Sequence, residues 1–408
     1  MALRHQRGCE LRDSDDVMTD ILIPSVVSPY ALTDDQAALV EAVRDFARAE
    51  LAPNAIEWDQ QKFFPVETLK LAGELGLGGI YAHEDVGGAG LSRTDAVLIF
   101  EELAKGDTTI AAYISIHNMV VWMIDSFGTD EQRSEWIPAL ATMQQLASYC
   151  LTEPGAGSDA AALTTSARRD GDHFVLNGVK QFISGAGASS VYVVMARTGG
   201  EGPKGISAFI VPANSVGLSF GANERKMGWN AQPTRQVVFD EVRVPAANLL
   251  GDEGEGFTFA MKGLNGGRIN IAACSLGGAQ WALDQAVSYV KERHAFGGPL
   301  ADQQSLVFEL ADMETDLQAA RLLLKRAAWA LDNGEPDTAS LCAMAKRFAT
   351  DAAFRVANSA LQLHGGYGYL ADYGIEKIVR DLRVHQILEG TNEIMRLIVG
   401  RALLEDAS

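Results

Sequence analysis

Glu389 is the residue with the clearest chemical setting. It follows the apolar pair Ile387-Leu388 and precedes Gly390-Thr391, within Arg380-Asp381-Leu382-Arg383-Val384-His385-Gln386-Ile387-Leu388-Glu389-Gly390-Thr391-Asn392-Glu393. A carboxylate beside apolar side chains loses hydration, which raises its pKa and suits it to act as a base. Gly390 lets the chain turn close to a ligand, and Thr391 is able to cap a following helix. Local reasoning leaves a second reading open, that of an acid at a helix break.

Glycine-rich strings supply the second signal. Gly155-Ala156-Gly157-Ser158-Asp159-Ala160 and Gly366-Tyr367-Gly368-Tyr369-Leu370-Ala371 both fit G-x-G-x-x-A. Neither closes a strand and opens a crossover helix, the context in which that pattern binds a dinucleotide. The longer string Tyr149-Cys150-Leu151-Thr152-Glu153-Pro154-Gly155-Ala156-Gly157-Ser158 is a loop whose amides and hydroxyls could face a flat polar ligand, or a plain turn. Phe182-Ile183-Ser184 offers a ring for stacking and a hydroxyl for a ring edge, although Phe182 alone would read as core. Gln362-Leu363-His364-Gly365-Gly366 is either a close-approach site for a ligand or a helix C-cap, with His364 a capping or core histidine.

The rest of the composition narrows the classes. Cys9, Cys150, Cys274 and Cys342 form no C-x-x-C pair, and the seven histidines are dispersed, so neither a metal site nor a disulfide framework is expected. A formal charge of -19 repels phosphate backbones and argues against nucleic acid. Apolar runs such as 191–195 and 397–399 fall short of the ~20 residues needed to span a bilayer, so no membrane is expected.

These residues must be held by elements of three kinds. Thr33-Asp34-Asp35-Gln36 is a capping box opening an amphipathic helix over 37–51, and helical patterns follow near 66–75, 94–104 and 132–143. From about 147 to 255 short β-rich runs replace them, and Asn177-Gly178 predicts a hairpin turn within 174–182. From about 256 helix returns. Leu306, Leu310, Met313, Leu317, Ala320, Leu324, Ala327 and Leu331 form one seam, and Leu341, Ala345, Phe348, Ala352, Val356, Ala360 and Leu363 a second, joined by a turn at 333–336. The fold class expected is a multidomain α+β protein: a flexible tail over 1–28, within which Met18 is a candidate for the true start, a helical domain over 29–146, an all-β barrel-like domain over 147–255, and a four-helix bundle over 256–408.

From about Thr33 to Leu404 these strings, in this order and on this layout, resemble the acyl-CoA dehydrogenase family. Residues 263–272 (G-L-N-G-G-R-I-N-I-A) and 365–369 are most similar to the isobutyryl-CoA branch, which serves valine breakdown. The resemblance implies FAD as cofactor. Tyr149, Leu151, Thr152, Gly157 and Ser158 would wrap its isoalloxazine, with Ser158 also touching the thioester. Phe182, Ile183 and Ser184 would stack on it, with Phe182 and Ser184 replacing a Trp and a Thr common in relatives. Arg293, Phe296, Gln303 and Gln304 would reach the FAD of a neighbouring subunit, where Ala295 replaces a common threonine. Gln362, Leu363, His364, Gly365 and Gly366, with Thr391, Asn392 and Glu393, would contact the pyrophosphate and adenosine. Leu264, Asn265, Gly266, Gly267 and Arg268, with Gly390 and Arg401, would bind acyl-CoA.

Some branches of the family carry the catalytic glutamate just before the arginine matching Arg268. Here that position is Gly267, so the resemblance assigns the base to Glu389. It further implies α,β-dehydrogenation of a short branched acyl-CoA, electron-transferring flavoprotein as acceptor, and a homotetramer built as a dimer of dimers. The compartment expected is bacterial cytosol, or alternatively the mitochondrial matrix. The competing readings are 2-methylbutyryl- or butyryl-CoA as substrate, an acyl-CoA oxidase, and a non-enzymatic flavin- or CoA-binding scaffold.

Overall fold

The computed structural model describes residues 31–405. The expected tail over 1–28 and the start at Met18 lie outside the described residues. Helices α1 (Asp34–Phe46), α2 (Ala55–Gln61), α3 (Val66–Glu74), α4 (Arg93–Gly106), α5 (Thr108–Phe127) and α6 (Asp130–Ala141) come first. Side chains fix their starts. Thr33 and Gln36 form the anticipated capping box, and Ser92 with Asp95 and Thr129 with Gln132 form two more.

Helix α5 is absent from the periodicity reading because it is apolar on nearly every face. It is long and apolar enough to cross a membrane by length and composition, yet 78% of its apolar window is buried inside the protein. A helix hydrophobic all round belongs in a large core. Asp107 caps it, accepting from the Ile110 amide at 2.8 Å.

An eight-stranded mixed sheet follows: β1 (Ala147–Cys150), β2 (Ser166–Asp170), β3 (His173–Ser184), β4 (Val191–Arg197), β5 (Ile206–Pro212), β6 (Leu218–Phe220), β7 (Thr234–Pro245) and β8 (Leu249–Leu250). Their order is β6-β7-β3-β2-β4-β5-β8, with β1 pairing parallel to β4. Asn177-Gly178 is not a hairpin turn. Strand β3 runs straight through it, and the turn between β2 and β3 lies at Gly171-Asp172, closed by the pair Asp170 and His173. Gly178 instead sits at a register shift against β7, where a Cβ would come within 2.4 Å of Thr165 Oγ1. Asn177 grips the opposite strand, donating to Glu241 Oε1 at 2.7 Å and accepting from the Glu241 amide at 2.9 Å. The same residue pair thus serves a β-bulge as readily as a turn.

Helix α7 (Gly256–Glu292) opens the last part, followed by the small hairpin β9 (His294–Ala295) and β10 (Gly298–Pro299). Helices α8 (Gln304–Asp332), α9 (Thr338–His364), α10 (Ile375–His385) and α11 (Asn392–Glu405) complete it. Both predicted seams point inward. Leu317, Ala320, Leu324 and Ala327 of α8 and Ala345, Ala352, Val356 and Ala360 of α9 are buried. The two helical regions share one core: Phe100 and Leu103 of α4 cluster with Ile269, Ala273 and Leu276 of α7.

A buried ion cluster ties α5 to α10. Lys377 Nζ stands 3.1 Å from Asp107 Oδ2 and 2.8 Å from Asp381 Oδ2. Burial alone would deprotonate Lys377, but the two carboxylates hold its pKa well above normal. Asp381 also accepts from the Trp229 amide at 2.6 Å and from Thr109 Oγ1 at 3.1 Å. Removing the cation strands two buried carboxylates. We predict that Lys377→Met destabilises the protein by about 3–5 kcal/mol, read as a clear fall in melting temperature.

Candidate active site

A cavity of about 390 Å³ opens where β1, β3, α5, α7 and the loop after α10 converge. Much of its wall is apolar: Ile116 and Met119 from α5, Phe257, Met261 and Leu264 from α7, and Leu388. The polar groups on it come from the strings singled out above. Tyr149, Leu151, Thr152, Gly157, Ser158, Phe182, Ile183, Ser184, Arg268, Glu389 and Gly390 all line this one cavity.

Glu389 keeps some exposure through the cavity mouth, yet its Oε2 is sealed and has no hydrogen-bond partner among the described residues. Burial pushes its pKa from 4.5 up to about 7, while Arg268 and Lys346 pull the other way. A carboxyl so placed exchanges a proton near neutral pH. Gly267 faces it directly: a Cβ there would lie 2.6 Å from Glu389 Oε2. Glycine at 267 therefore leaves the volume that the carboxylate fills.

The backbone here is strained in a telling way. Phe182 (φ 60°), Trp229 (φ 55°) and Glu389 (φ 55°) are non-glycine residues in the left-handed region, and all three line the cavity. Such conformations cost of order 1–3 kcal/mol each and persist where surrounding structure imposes them. For Glu389 the surroundings are two buried cations. Arg268 Nε donates to the Glu389 carbonyl at 3.3 Å, and Lys346 Nζ donates to the Gly390 carbonyl at 2.8 Å. Asn265 accepts from Arg268 Nη1 at 2.7 Å, which aims the guanidinium.

Sequence reasoning missed Lys346, because one lysine on an amphipathic helix reads as surface. It missed Trp229 as well. The Trp229 indole donates to His385 Nε2 at 3.2 Å, so His385 carries its proton on Nδ1 and donates to Ser275 Oγ at 2.7 Å. Ser275 in turn donates to the Ile271 carbonyl at 2.7 Å. Burial, with Lys346 adding to it, pushes His385 down to about 3. This neutral relay fixes the indole on the cavity wall.

The loop from Tyr149 to Ser158 has its own anchor. Lys180 Nζ, wholly buried, donates to the Leu151 carbonyl at 3.0 Å and to Glu153 Oε1 at 2.8 Å. Burial would raise Glu153, but Lys180 and the residues 164 and 165 hold it at about 2. This fixed loop fits the flat ring that the resemblance implies. Phe182 is 63% exposed, the Tyr149 hydroxyl is buried without a partner among the described residues, and Gly155 and Gly157 face open space.

A second group lies apart from this cavity. Arg293 lines another of about 380 Å³ with Gln362, Leu363, His364, Gly365 and Gly366. His364 Nδ1 donates to the Ala360 carbonyl at 2.7 Å and its ring stacks on Tyr289. Gln304 is exposed, Gln303 half-buried, and Phe296 is 94% exposed at the tip of the β9–β10 hairpin. None of these meets the first cavity within one chain. Thr391 caps α11, accepting from the Ile394 amide at 3.4 Å, Asn392 is buried against Lys346, and Glu393 and Arg401 are exposed. Gly266 packs against Arg93, whose guanidinium sits 3.6 Å over the Tyr81 ring.

Because the folded-state pKa of Glu389 lies above its ordinary 4.5, the destabilisation it causes is absent below pH 4.5, grows between pH 4.5 and about 7, and is constant above that. We predict that Glu389→Gln melts higher than the parent at pH 8, by about 3 kcal/mol at most, and that the gap closes at pH 4.5.

Comparison with known proteins agrees with this geometry. Family models for the acyl-CoA dehydrogenase N-terminal, middle and C-terminal domains match residues 33–144, 148–242 and 254–404. The chain is 55% identical over 385 residues to the mitochondrial isobutyryl-CoA dehydrogenase of Bos taurus, covering 94% of this chain and 92% of that one. It is 54% identical over 376 residues to the enzyme of the same name from Dictyostelium discoideum, covering 92% and 90%. The structure of butyryl-CoA dehydrogenase from Megasphaera elsdenii superposes with a TM-score of 0.90 at 40% identity, covering 92% of this chain and all of that one. The chain belongs to the acyl-CoA dehydrogenase family and is an FAD-dependent oxidoreductase acting on acyl-CoA.

Proposed function

We propose that this chain oxidises isobutyryl-CoA to methacrylyl-CoA as a step of valine breakdown, with Glu389 as the base. The observation that carries the base is a carboxylate oxygen sealed in an apolar cavity without a partner. The substrate rests on the two relatives at 55% and 54% identity.

Glu389 takes the α-proton of the thioester onto its carboxylate. The charge that develops on the thioester oxygen needs donors. The Glu389 amide, which has no acceptor among the described residues, is the chain's own; losing such a donor typically costs about 2.7–4 kcal/mol. Bound FAD supplies the two-electron acceptor for the β-hydrogen, which departs as hydride. Tyr149, Leu151, Thr152, Gly157 and Ser158, with Phe182, Ile183 and Ser184, hold the ring. Gln362 to Gly366 and Thr391 to Glu393 hold the pyrophosphate and adenosine, and Arg293, Phe296, Gln303 and Gln304 serve a neighbouring subunit's cofactor. Leu264 to Arg268, Gly390 and Arg401 receive the acyl-CoA. Residues that reach a neighbour require an oligomer, and we assign a dimer of dimers. We divide the chain into domains at 146 and 255, assign electron-transferring flavoprotein as the acceptor, and place the reaction in bacterial cytosol or mitochondrial matrix.

Glu389→Gln should retain yellow FAD but lose bleaching by acyl-CoA; normal bleaching would move the base elsewhere. In the parent, kcat/KM should fall about tenfold per pH unit below about 7, as Glu389 becomes protonated. Among isobutyryl-, 2-methylbutyryl-, butyryl- and isovaleryl-CoA, isobutyryl-CoA should reduce the flavin most efficiently. A butyryl-CoA advantage above about tenfold, a preference for the straight chain over its branched isomer, overturns the substrate.

A further inference from the structure

Lys346 lies on α9, a helix that contributes no side chain to the wall of the catalytic cavity. It is fully buried, where an ammonium group costs free energy unless something uses it. Its Nζ donates to the Gly390 carbonyl at 2.8 Å and to Asn392 Oδ1 at 2.9 Å. Asn392 is itself held, donating from Nδ2 to Asp351 Oδ1 at 2.7 Å and to Thr350 Oγ1 at 3.0 Å. Lys346 thus grips the chain on the far side of Glu389, while Arg268 grips the Glu389 carbonyl from α7.

We propose that Lys346 is a positioning residue for the reaction: it fixes the left-handed turn that presents the Glu389 carboxylate. The proposal rests on Glu389 being the base. A lone carboxyl in this cavity would be driven far toward the protonated form, useless for taking an α-proton at neutral pH. A cation behind the loop offsets part of that burial without occupying the carboxylate oxygens, so Oε2 stays free for the substrate. Burial draws Lys346 down to about 7 and Glu389 up to about 7, and the charge of each group opposes that shift in the other.

Other charged groups also face the pair. Arg268 acts on Glu389 in the same direction but lies on α7. Asp351 and Glu393 favour the Lys346 ammonium, Arg268 opposes it, and His385 is held neutral. Tyr149 and Cys342 are pushed upward by burial and stay uncharged.

The test compares Lys346→Met and Lys346→Arg holoenzymes with the parent and with Glu389→Gln. One readout is the pH dependence of single-turnover flavin bleaching by isobutyryl-CoA. The other is an infrared titration of the carboxylic-acid band that disappears in Glu389→Gln. In Lys346→Met both midpoints should move to higher pH by on the order of one unit, with bleaching at pH 7 slowed at least about fivefold. Lys346→Arg should return the midpoints to near the parent value. A parental midpoint in Lys346→Met, or a shift in Lys346→Arg as large as in Lys346→Met, overturns the proposal. If Lys346→Met does not fold, Lys346→Gln carries the same comparison. Bleaching that survives in Glu389→Gln would instead overturn the assignment of the base.

Discussion

A carboxylate kept dry but able to ionise is the constraint around which this site is built. Water would hold Glu389 near its ordinary pKa and make it a weak base; a wholly apolar pocket would keep it protonated. The chain reaches a value of about 7 by apolar burial tempered by Arg268 and Lys346, which bind the adjoining carbonyls rather than the carboxylate itself. A salt bridge to either oxygen would have been cheaper and would have disarmed the base. The unpaired Oε2 is therefore stability forgone, of the kind that recurs where activity needs an uncomfortable group.

That cost is carried by rigid surroundings. Glu389, Phe182 and Trp229 adopt backbone conformations that side chains resist, and each is held from behind. Phe182 lies near the end of strand β3, two residues after the buried Lys180, which is pinned to Glu153 at 2.8 Å. The Trp229 amide is held by Asp381 at 2.6 Å, within the Lys377 cluster. Those anchors come from the sheet, from α9 and α10, and through Asp107 from the start of α5, so the cavity depends on all three parts of the fold meeting correctly. The core shared between α4 and α7 supplies that meeting.

What the sequence disclosed follows the same physics. The seams of α8 and α9 were legible because each helix buries one stripe, and the capping box at Thr33 because its partners are three residues apart. Helix α5 was not, since burial on every side erases periodicity. Asn177-Gly178 misled because a bulge and a turn ask for the same backbone. In the site, the loop from Tyr149 to Ser158 and the Phe182 segment announce themselves through glycines and hydroxyls. Glu389, read locally, was open between base and helix break, and only the family resemblance chose. Lys346, Trp229 and Lys180 act through contacts between residues distant in sequence, which no local pattern records.

Gly267 and Glu389 share one volume. A Cβ on residue 267 would fall 2.6 Å from Glu389 Oε2, so a side chain at 267 and the carboxylate of 389 compete for one volume. Position 267 lies on α7 and Glu389 on the loop before α11, and both adjoin Arg268. An acid at either position would have a different backbone support. With the acid at 389, its backbone must take up the left-handed turn, and the demand for Lys346 behind Gly390 follows from that choice. An acid placed on α7 would draw its rigidity from the helix instead. The buried lysine is thus the counterpart of carrying the base on a loop.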